Sequence, residues 1–227
     1  MMKVFISCCE RRLSNITYDS DAWTAYPEHR WLFNKLAVAM RLGYRAGPAG
    51  IPIPQEGSYI VRPTYNLSGM GVGARRLYLE EGDNHSVKPG EFWCEFFEGP
   101  NITIDYEWQD GVLTPVFAAQ GDSDGIELFR FTRWHLVTPP VYQIPDWIGE
   151  LQDVPRLNIE FIDGHLIEIH LRPGIDFPDG ATEIVPIWSD STEAEHQQMF
   201  ELGYELQHDP DDADGHLKIS RVGFFYK

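Results

Sequence analysis

The chain has 227 residues, of which 43% are hydrophobic and 13% aromatic, and this composition is typical of a globular protein with a sizeable core. Its net charge of −17 and sequence pI near 4.7 disfavour nucleic acid or a membrane as the main partner, because both present negative charge. No run of 18 apolar residues occurs, which argues against a membrane-spanning helix, and the first apolar run is too short for a secretory signal.

The cysteine and arginine content indicates the redox compartment of the protein and the charge of its ligand. Three cysteines cannot all pair, and Cys8 and Cys9 are adjacent, so we expect free thiols in a cytoplasmic protein. The 13 arginines outnumber the 5 lysines. Because a planar guanidinium group can hold a carboxylate or phosphate with two parallel hydrogen bonds, this ratio indicates an anionic ligand.

The first predicted elements are a short N-terminal strand, a helix over residues 27–43 and a rigid connector over 46–54. Pro27 suits the first turn of that helix and Gly43 can end it. An apolar stripe runs along the helix through Leu32, Leu36, Ala39 and Met40.

Most of the remaining chain is predicted to form strands, at 58–62, 72–79, 91–97, 101–108, 112–118, 126–137, 156–162 and 166–171. A short helix over 145–154 interrupts them. A later helix begins near Thr192, which has capping-box spacing with Glu195, and ends near Gly203. A last strand closes the chain, so the predicted fold class is α+β with mostly antiparallel sheets.

The connection 63–73 between the first two of these strands is long for a hairpin turn. Its Ser68-Gly69-Met70-Gly71 core has little side-chain bulk, and glycine permits the left-handed backbone of an anion-binding loop. The sequence is neither a Walker loop nor a Rossmann turn, since no Gly-Lys-Ser/Thr and no helix follow. Two interpretations remain open: an ordinary turn, or a loop that covers phosphates.

The segment 156–172 alternates strictly between apolar and polar residues on both sides of Asp163-Gly164. The two apolar sets share a face only if a three-residue loop, 163–165, joins the strands. In that register Glu160 faces Glu168, Asn158 faces His170 and Arg156 faces Arg172.

Two opposed carboxylates repel each other unless a cation lies between them. Flanking arginines on a solvated face are one answer, and Mg²⁺ held by the carboxylates of Glu160 and Glu168 is the other. Zinc is disfavoured, because His165 has the opposite strand parity to Glu168 and His170. The acidic segment 209–215 does not match an EF-hand, because its fifth position is alanine.

In their order along the chain these motifs resemble the ATP-grasp superfamily, of which this would be a divergent and short example. "YIVRPTYNLSGMGVGA" is similar to that family's lysine-proline strand and glycine-rich loop, with arginine at the lysine position. "FWCEFFEGPNITIDYEW" resembles its hinge strand, and "EIHLR" resembles the end of its metal-binding hairpin, with histidine in place of asparagine.

The resemblance implies two small α+β lobes with a nucleotide cleft between them, and ATP and Mg²⁺ as cofactors. We divide the chain into an N-terminal strand and helix (1–50), a glycine-loop lobe up to the hinge (51–98) and a lobe with the metal hairpin (99–227). The implied nucleotide-binding residues are Arg62, Asn66, Ser68, Gly69, Gly71, Glu95, Phe97 and Asn101. The implied metal-binding residues are Glu160, Glu168 and His170, and the implied catalytic residues are Arg172 and Arg130.

The implied activity is ATP-dependent ligation, in which a carboxylate is activated as an acyl phosphate and attacked by an amine. Residues Asp105 and Glu107 either line the cleft, where they would meet the amine or a metal, or belong to a solvated face. The expected partners are a small-molecule or peptide substrate and a possible second protein or second copy of the chain. Two alternatives remain: a non-catalytic nucleotide-binding regulator or inhibitor, and an α+β interaction protein without a nucleotide.

Overall fold

The computed structural model describes residues 16–67, 71, 73–123, 125, 128, 130–174, 177–178, 180–209 and 220–227. The predicted N-terminal strand, Ser68, Gly69 and all but the first residue of the acidic segment 209–215 lie outside these ranges. In the described residues, no helix has the length and apolar character needed to cross a membrane.

The N-terminal part forms helix α1 (Asp19–Ala25), a 3-10 helix (Pro27–Phe33) and helix α2 (Lys35–Arg41). The expectation of one continuous helix over 27–43 is therefore wrong. Asn34 adopts an extended backbone, and its side-chain oxygen accepts a hydrogen bond from the Ala37 amide, so it caps α2 and breaks the helix. Met40, which the predicted apolar stripe included, is exposed.

The smaller sheet contains β1 (Ala46–Pro48), β2 (Gly57–Pro63), β3 (Arg75–Leu79) and β4 (Glu91–Glu95) in the order β1-β4-β2-β3. All three pairs are antiparallel. Strand β1 lies inside the predicted connector. Gly47 makes that pairing possible, since a Cβ on it would lie 2.5 Å from the indole ring of Trp93.

The larger sheet has eight strands in the order β11-β12-β10-β7-β6-β5-β8-β9, and every described pair in it is antiparallel. Its strands are β5 (Asn101–Gln109), β6 (Val112–Ser123), β7 (Phe131–Leu136), β8 (Arg156–Ile162), β9 (His165–His170), β10 (Glu183–Trp188), β11 (Glu205–His208) and β12 (Arg221–Tyr226). Strands β10 and β11 were not predicted. The α+β fold class with two mostly antiparallel sheets is confirmed.

The main core lies on one face of this larger sheet. Apolar residues of β5, β8 and β9 pack there against α1, α2 and the helices at Pro27–Phe33 and Asp146–Leu151. The 3-10 helix Asp146–Leu151 confirms the short helix predicted after Pro145. Helix α3 (Glu193–Glu201) has the predicted capping box between Thr192 and Glu195. The opposite face of β5, β8 and β9 is polar.

The β8–β9 hairpin has the predicted pairs Glu160–Glu168 and Asn158–His170, but its turn differs. Asp163 and Gly164 both have positive φ and form a two-residue turn, with Ile162 opposite His165. A bulge between Glu160 and Phe161 on one strand and Ile167 on the other restores the phase. Beyond His170 the ladder ends, so the expected pair of Arg156 with Arg172 does not form.

Candidate functional site

A cavity of about 980 Å³ lies between the two sheets. Its floor is the polar face of β5, β8 and β9, because side chains alternate along each strand and the apolar set faces the core. Across these strands Thr103, Glu160 and Glu168 form one row of paired positions. Asp105, Asn158 and His170 form the next row, so the fold brings six polar side chains to one surface.

The three predicted metal-binding residues converge in this cavity. His170 Nε2 lies 3.4 Å from Glu160 Oε1 and 3.8 Å from Glu168 Oε1. One donor atom from each residue lies within 4.8 Å of the others. The hairpin register thus sets the two carboxylates opposite each other and places an imidazole between them.

The imidazole of His170 is buried, and its Nδ1 contacts the carboxylate of Asp19 on α1. His170 Nδ1 lies 2.9 Å from an Asp19 carboxylate oxygen. Burial alone would lower the pKa of His170, but the charge of Asp19 raises it to about 10. His170 is therefore an imidazolium at neutral pH, and in this state it supplies the positive charge between the carboxylates.

Asp19 itself is 2% exposed and joins two cations. Its carboxylate also accepts a 2.9 Å hydrogen bond from Arg172 Nε. Burial alone would raise the pKa of Asp19, but His170 and Arg172 lower it to about 2. Sequence analysis missed Asp19, since its partners lie about 150 residues away in the chain.

The Glu168 side chain is 13% exposed and contacts three cations. Lys35 Nζ donates to Glu168 Oε1, and Arg62 Nη1 lies 3.6 Å from Glu168 Oε2. Burial alone would raise the pKa of Glu168, but Lys35, His170 and Arg62 lower it. Lys35 was also missed, although a signal existed: it lies three residues after Leu32 and four before Ala39, where an apolar stripe predicts a buried side chain.

Asp105, which the sequence left between the cleft and a solvated face, is buried and lines the cavity. Its Oδ1 accepts hydrogen bonds from Asn158 Nδ2 at 2.7 Å and from the Gly174 amide at 2.9 Å. Burial raises the pKa of Asp105 despite these bonds. Glu107, two residues further on, instead pairs with Arg156.

Around the hinge the predicted residues Glu95, Phe97 and Asn101 all line the cavity. Glu95 accepts a 2.9 Å hydrogen bond from the Arg45 amide, and the Phe97 ring stacks on His165 with centroids 4.2 Å apart. Asn101 Oδ1 is buried and has no partner within the part of the chain that the structure describes.

The glycine loop contributes Gly71 to the cavity lining, with φ of 61°, in keeping with the left-handed backbone expected there. Asn66 lies at the start of this loop and is half-buried. Arg62, at the end of β2, donates from Nη2 to the Ile167 carbonyl at 2.9 Å. Its buried Nε has no partner among the described residues, so the cavity contains one donor and one acceptor that a ligand could satisfy.

The two predicted catalytic arginines lie in different surroundings. Arg172 lines the cavity beside Asp19. Arg130 binds both carboxylate oxygens of Asp190, at 2.8 and 3.0 Å, and its guanidinium lies over the Trp188 ring. Arg130 is thus engaged away from the row of carboxylates, and we assign it no part in the chemistry.

The donor set fits Mg²⁺ through its carboxylates. Mg²⁺ prefers oxygen donors, keeps several waters and binds proteins through one or two carboxylates plus substrate phosphates. Glu160 and Glu168 offer such oxygens on the cavity surface. A protonated His170 has no lone pair to donate, so it fits a role in orienting the carboxylates better than the predicted role of ligand.

The polar centre concentrates positive charge although the whole chain is acidic. Four cations lie within it: Lys35, Arg62, His170 and Arg172. Four carboxylates lie among them, those of Asp19, Asp105, Glu160 and Glu168. Such an arrangement can attract an anionic ligand and neutralise charge that develops on it.

No protein-family model matches the sequence, and no curated protein matches it. Three solved structures resemble the fold, each with a TM-score of 0.50. Carboxyaminoimidazole ribonucleotide synthase from Aspergillus clavatus, in complex with ATP, is 12% identical, and the match covers 87% of this chain and 68% of that one. L-amino acid ligase from Bacillus licheniformis is 12% identical, with 86% and 66% covered.

The third structure, N5-carboxyaminoimidazole synthetase from Staphylococcus aureus, is 8% identical, with 86% of this chain and 66% of that one covered. This chain therefore spans about two thirds of the length of these proteins. The two antiparallel sheets and few helices of this chain are consistent with the fold of these three structures. The resemblance noted in the sequence is confirmed at the level of the fold: this chain has the ATP-grasp fold.

Proposed function

We propose that this protein is an ATP- and Mg²⁺-dependent ligase that activates a carboxylate as an acyl phosphate and joins it to an amine. The observation that carries the proposal is the convergence of Glu160, Glu168 and Arg172 with further cations in one cavity between the lobes of an ATP-grasp fold. Carboxylates for a hard metal and fixed cations for phosphate are what phosphoryl transfer requires.

In this proposal the nucleotide occupies the side of the cavity between the hinge and the hairpin. The adenine lies against the segment 95–98, and Asn101 Oδ1 accepts from a ribose hydroxyl, which gives that buried oxygen a partner. Residues 66–73 cover the phosphates, and Arg62 donates from Nε, which has no partner in the part of the chain that the structure describes. Glu160 and Glu168 hold Mg²⁺, which neutralises charge on the phosphates when it is bound.

The chemistry needs two displacement steps. A carboxylate oxygen of the substrate attacks the γ-phosphorus, the bond from phosphorus to the β–γ bridging oxygen breaks, and ADP leaves. Arg172 stabilises the transferring group, because its position is fixed by Asp19. An amine nitrogen then attacks the acyl carbon, inorganic phosphate leaves, and Asp105 accepts the amine proton, for which its raised pKa suits it.

The test is calorimetry of ATP binding with and without Mg²⁺, on the wild type and on Glu168→Gln. We expect Mg²⁺ to strengthen ATP binding in the wild type and to have little effect in the variant. Glu150→Gln is the matched control, since Glu150 pairs with Arg41 on the surface. ADP formation with a mixture of carboxylates and amines then measures turnover. Absence of ATP binding in the folded wild type would refute the proposal.

The second candidate is a nucleotide-binding regulator without catalysis, and two contacts of Glu168 favour it. Lys35 and His170 already neutralise Glu168, which leaves it less available to a metal. ATP binding of equal strength with and without Mg²⁺, together with no ADP formation, would select this candidate over the ligase.

A further inference from the structure

The cavity extends past the polar centre to a wall of five aromatic side chains. We call this wall the aromatic end, and it consists of Phe117, Phe131, Trp134, Phe177 and Trp188. Phe117 and Phe177 are in edge contact with ring centroids 5.1 Å apart, and Phe131 and Trp134 contact each other at 4.4 Å. The contacts among these rings fix part of the wall in position.

The larger sheet positions the wall directly beside the polar centre. Phe117 on β6 lies opposite Asp105 on β5, so the row that begins with His170, Asn158 and Asp105 continues into an aromatic ring. On β6, a Cβ at Gly121 would lie 2.7 Å from Phe131 and 2.9 Å from Trp134. Because glycine has no side chain, the rings of Phe131 and Trp134 can pack against the sheet at Gly121.

Charges at this end of the cavity are paired with one another. Arg221 donates to both oxygens of Asp209, at 2.7 and 3.2 Å, and both side chains are largely buried. Arg130 and Asp190 form a second, more exposed pair beside Trp188. The aromatic end thus differs from the cation-rich polar centre, and its apolar surface suits an uncharged, flat group.

The cavity is large. Its volume of about 980 Å³ lies at the upper end of the range of about 300–1,000 Å³ that is usual for ligand pockets. The hinge, the polar centre and the aromatic end lie along the one cavity. A nucleotide between the hinge and the hairpin would leave the aromatic end accessible from the polar centre.

We propose that the aromatic end binds the amine substrate, and that this substrate carries an aromatic or bulky apolar group. The inference rests on the proposed ligase function, in which Asp105 receives the amine proton. Because Phe117 borders Asp105, an amine on a short chain reaches Asp105 while its ring lies among Phe117, Trp134 and Trp188. The wall selects the substrate by burying its apolar surface.

The test compares phenethylamine with ethylamine, which share the amine and differ in the ring. Binding is measured by calorimetry and by tryptophan fluorescence in the presence of ATP and Mg²⁺, and phenethylamine is expected to bind at least about tenfold more tightly. Trp134→Ala should reduce that ratio to about twofold and leave the Kd of ATP unchanged. Phe117→Leu, which keeps the apolar volume, should reduce it by a smaller factor, and Phe200→Leu on α3 is the control.

Three results would overturn the inference: equal affinity for the two amines, a preference for phenylacetate over phenethylamine, or weaker ATP binding in both Phe117→Leu and Trp134→Ala. The last would place the nucleotide at the aromatic end. ATP binding without a preference for phenethylamine refutes the inference and leaves the ligase function standing. A preference for phenethylamine without any ATP binding refutes the ligase function and supports the aromatic site.

Discussion

At the β8–β9 hairpin the charged side chains bind one another, whereas on β2 and β5 two polar atoms of the same cavity lack partners in the described structure. Asp19 joins His170 to Arg172, and Lys35 contacts Glu168. By contrast Arg62 Nε and Asn101 Oδ1 are buried and unsatisfied. Because burial of an unsatisfied polar atom costs free energy, we infer that the hairpin contributes to stability, and that Arg62 and Asn101 contribute to the affinity for a ligand.

The largest effect is expected from Asp19→Asn. This change leaves the buried cations His170 and Arg172 without their anion, so we expect the free energy of unfolding to fall by about 3–5 kcal/mol. Urea unfolding measures the loss. Asp190→Asn, at the more exposed pair with Arg130, should cost far less. Equal losses in the two variants would mean that the hairpin network is not a stabilising unit.

The second prediction concerns how the free energy of unfolding depends on pH, through the ion pair of His170 in the hairpin. The pKa of His170 is raised to about 10, so its ion pair stabilises the folded state fully below the usual histidine pKa of 6.5. That contribution is lost as pH rises from about 6.5 to 10. Urea unfolding in EDTA should show this alkaline decline in the wild type. In His170→Asn the decline should be nearly absent, and an unchanged decline would assign it to other groups.

Arg62→Lys tests the contribution of the guanidinium group to ligand binding, because it preserves the positive charge. Lysine lacks the guanidinium fork that donates to the Ile167 carbonyl and offers Nε to a ligand. We expect the Kd of ATP to rise by about tenfold or more, since a hydrogen bond to a charged group contributes about 1.5–3 kcal/mol. Stability should change much less. A variant that unfolds readily but binds ATP normally would reverse the roles given to the two regions.

The smallest effect is expected from Asn101→Leu. The substitution removes an acceptor that has no partner among the described residues, so stability should hold or rise slightly, while ATP affinity falls by about two- to tenfold. Calorimetry and urea unfolding of the same preparation measure both. Asn84→Leu, at an exposed loop position, is the control. Unaltered ATP affinity would remove Asn101 from the nucleotide site.

The sequence sufficed for features that repeat locally. Strict alternation placed Glu160 opposite Glu168 and Asn158 opposite His170, because a slip by one residue would expose the apolar face. It gave the wrong turn, however, since a two-residue turn with a compensating bulge produces the same pairs. The alternation of apolar and polar residues predicts which side chains share a face of the sheet. It does not show whether an extra residue lies in the turn or in a bulge within a strand.

Features that depend on distant parts of the chain were not predictable in this way. Helix α1 has a polar sequence with little apolar periodicity, and it is positioned by the bonds of Asp19 to His170 and Arg172. Asn34 interrupts an apolar stripe that sequence alone would continue. Arg130 looked suited to an anionic substrate, yet Asp190, 60 residues further on, holds it.

The edge position of Ile167 has a mechanical consequence. Among the described strands β9 pairs only with β8, and the Ile167 carbonyl accepts a hydrogen bond from Arg62 of the smaller sheet. The next residue, Glu168, is held by Lys35 from α2. Two consecutive residues of β9 thus bind side chains from outside the larger sheet, Arg62 and Lys35. If the proposed nucleotide binds Arg62 through its phosphates, we expect the hydrogen bond from Arg62 to the Ile167 carbonyl to weaken and the contact between the two sheets to loosen.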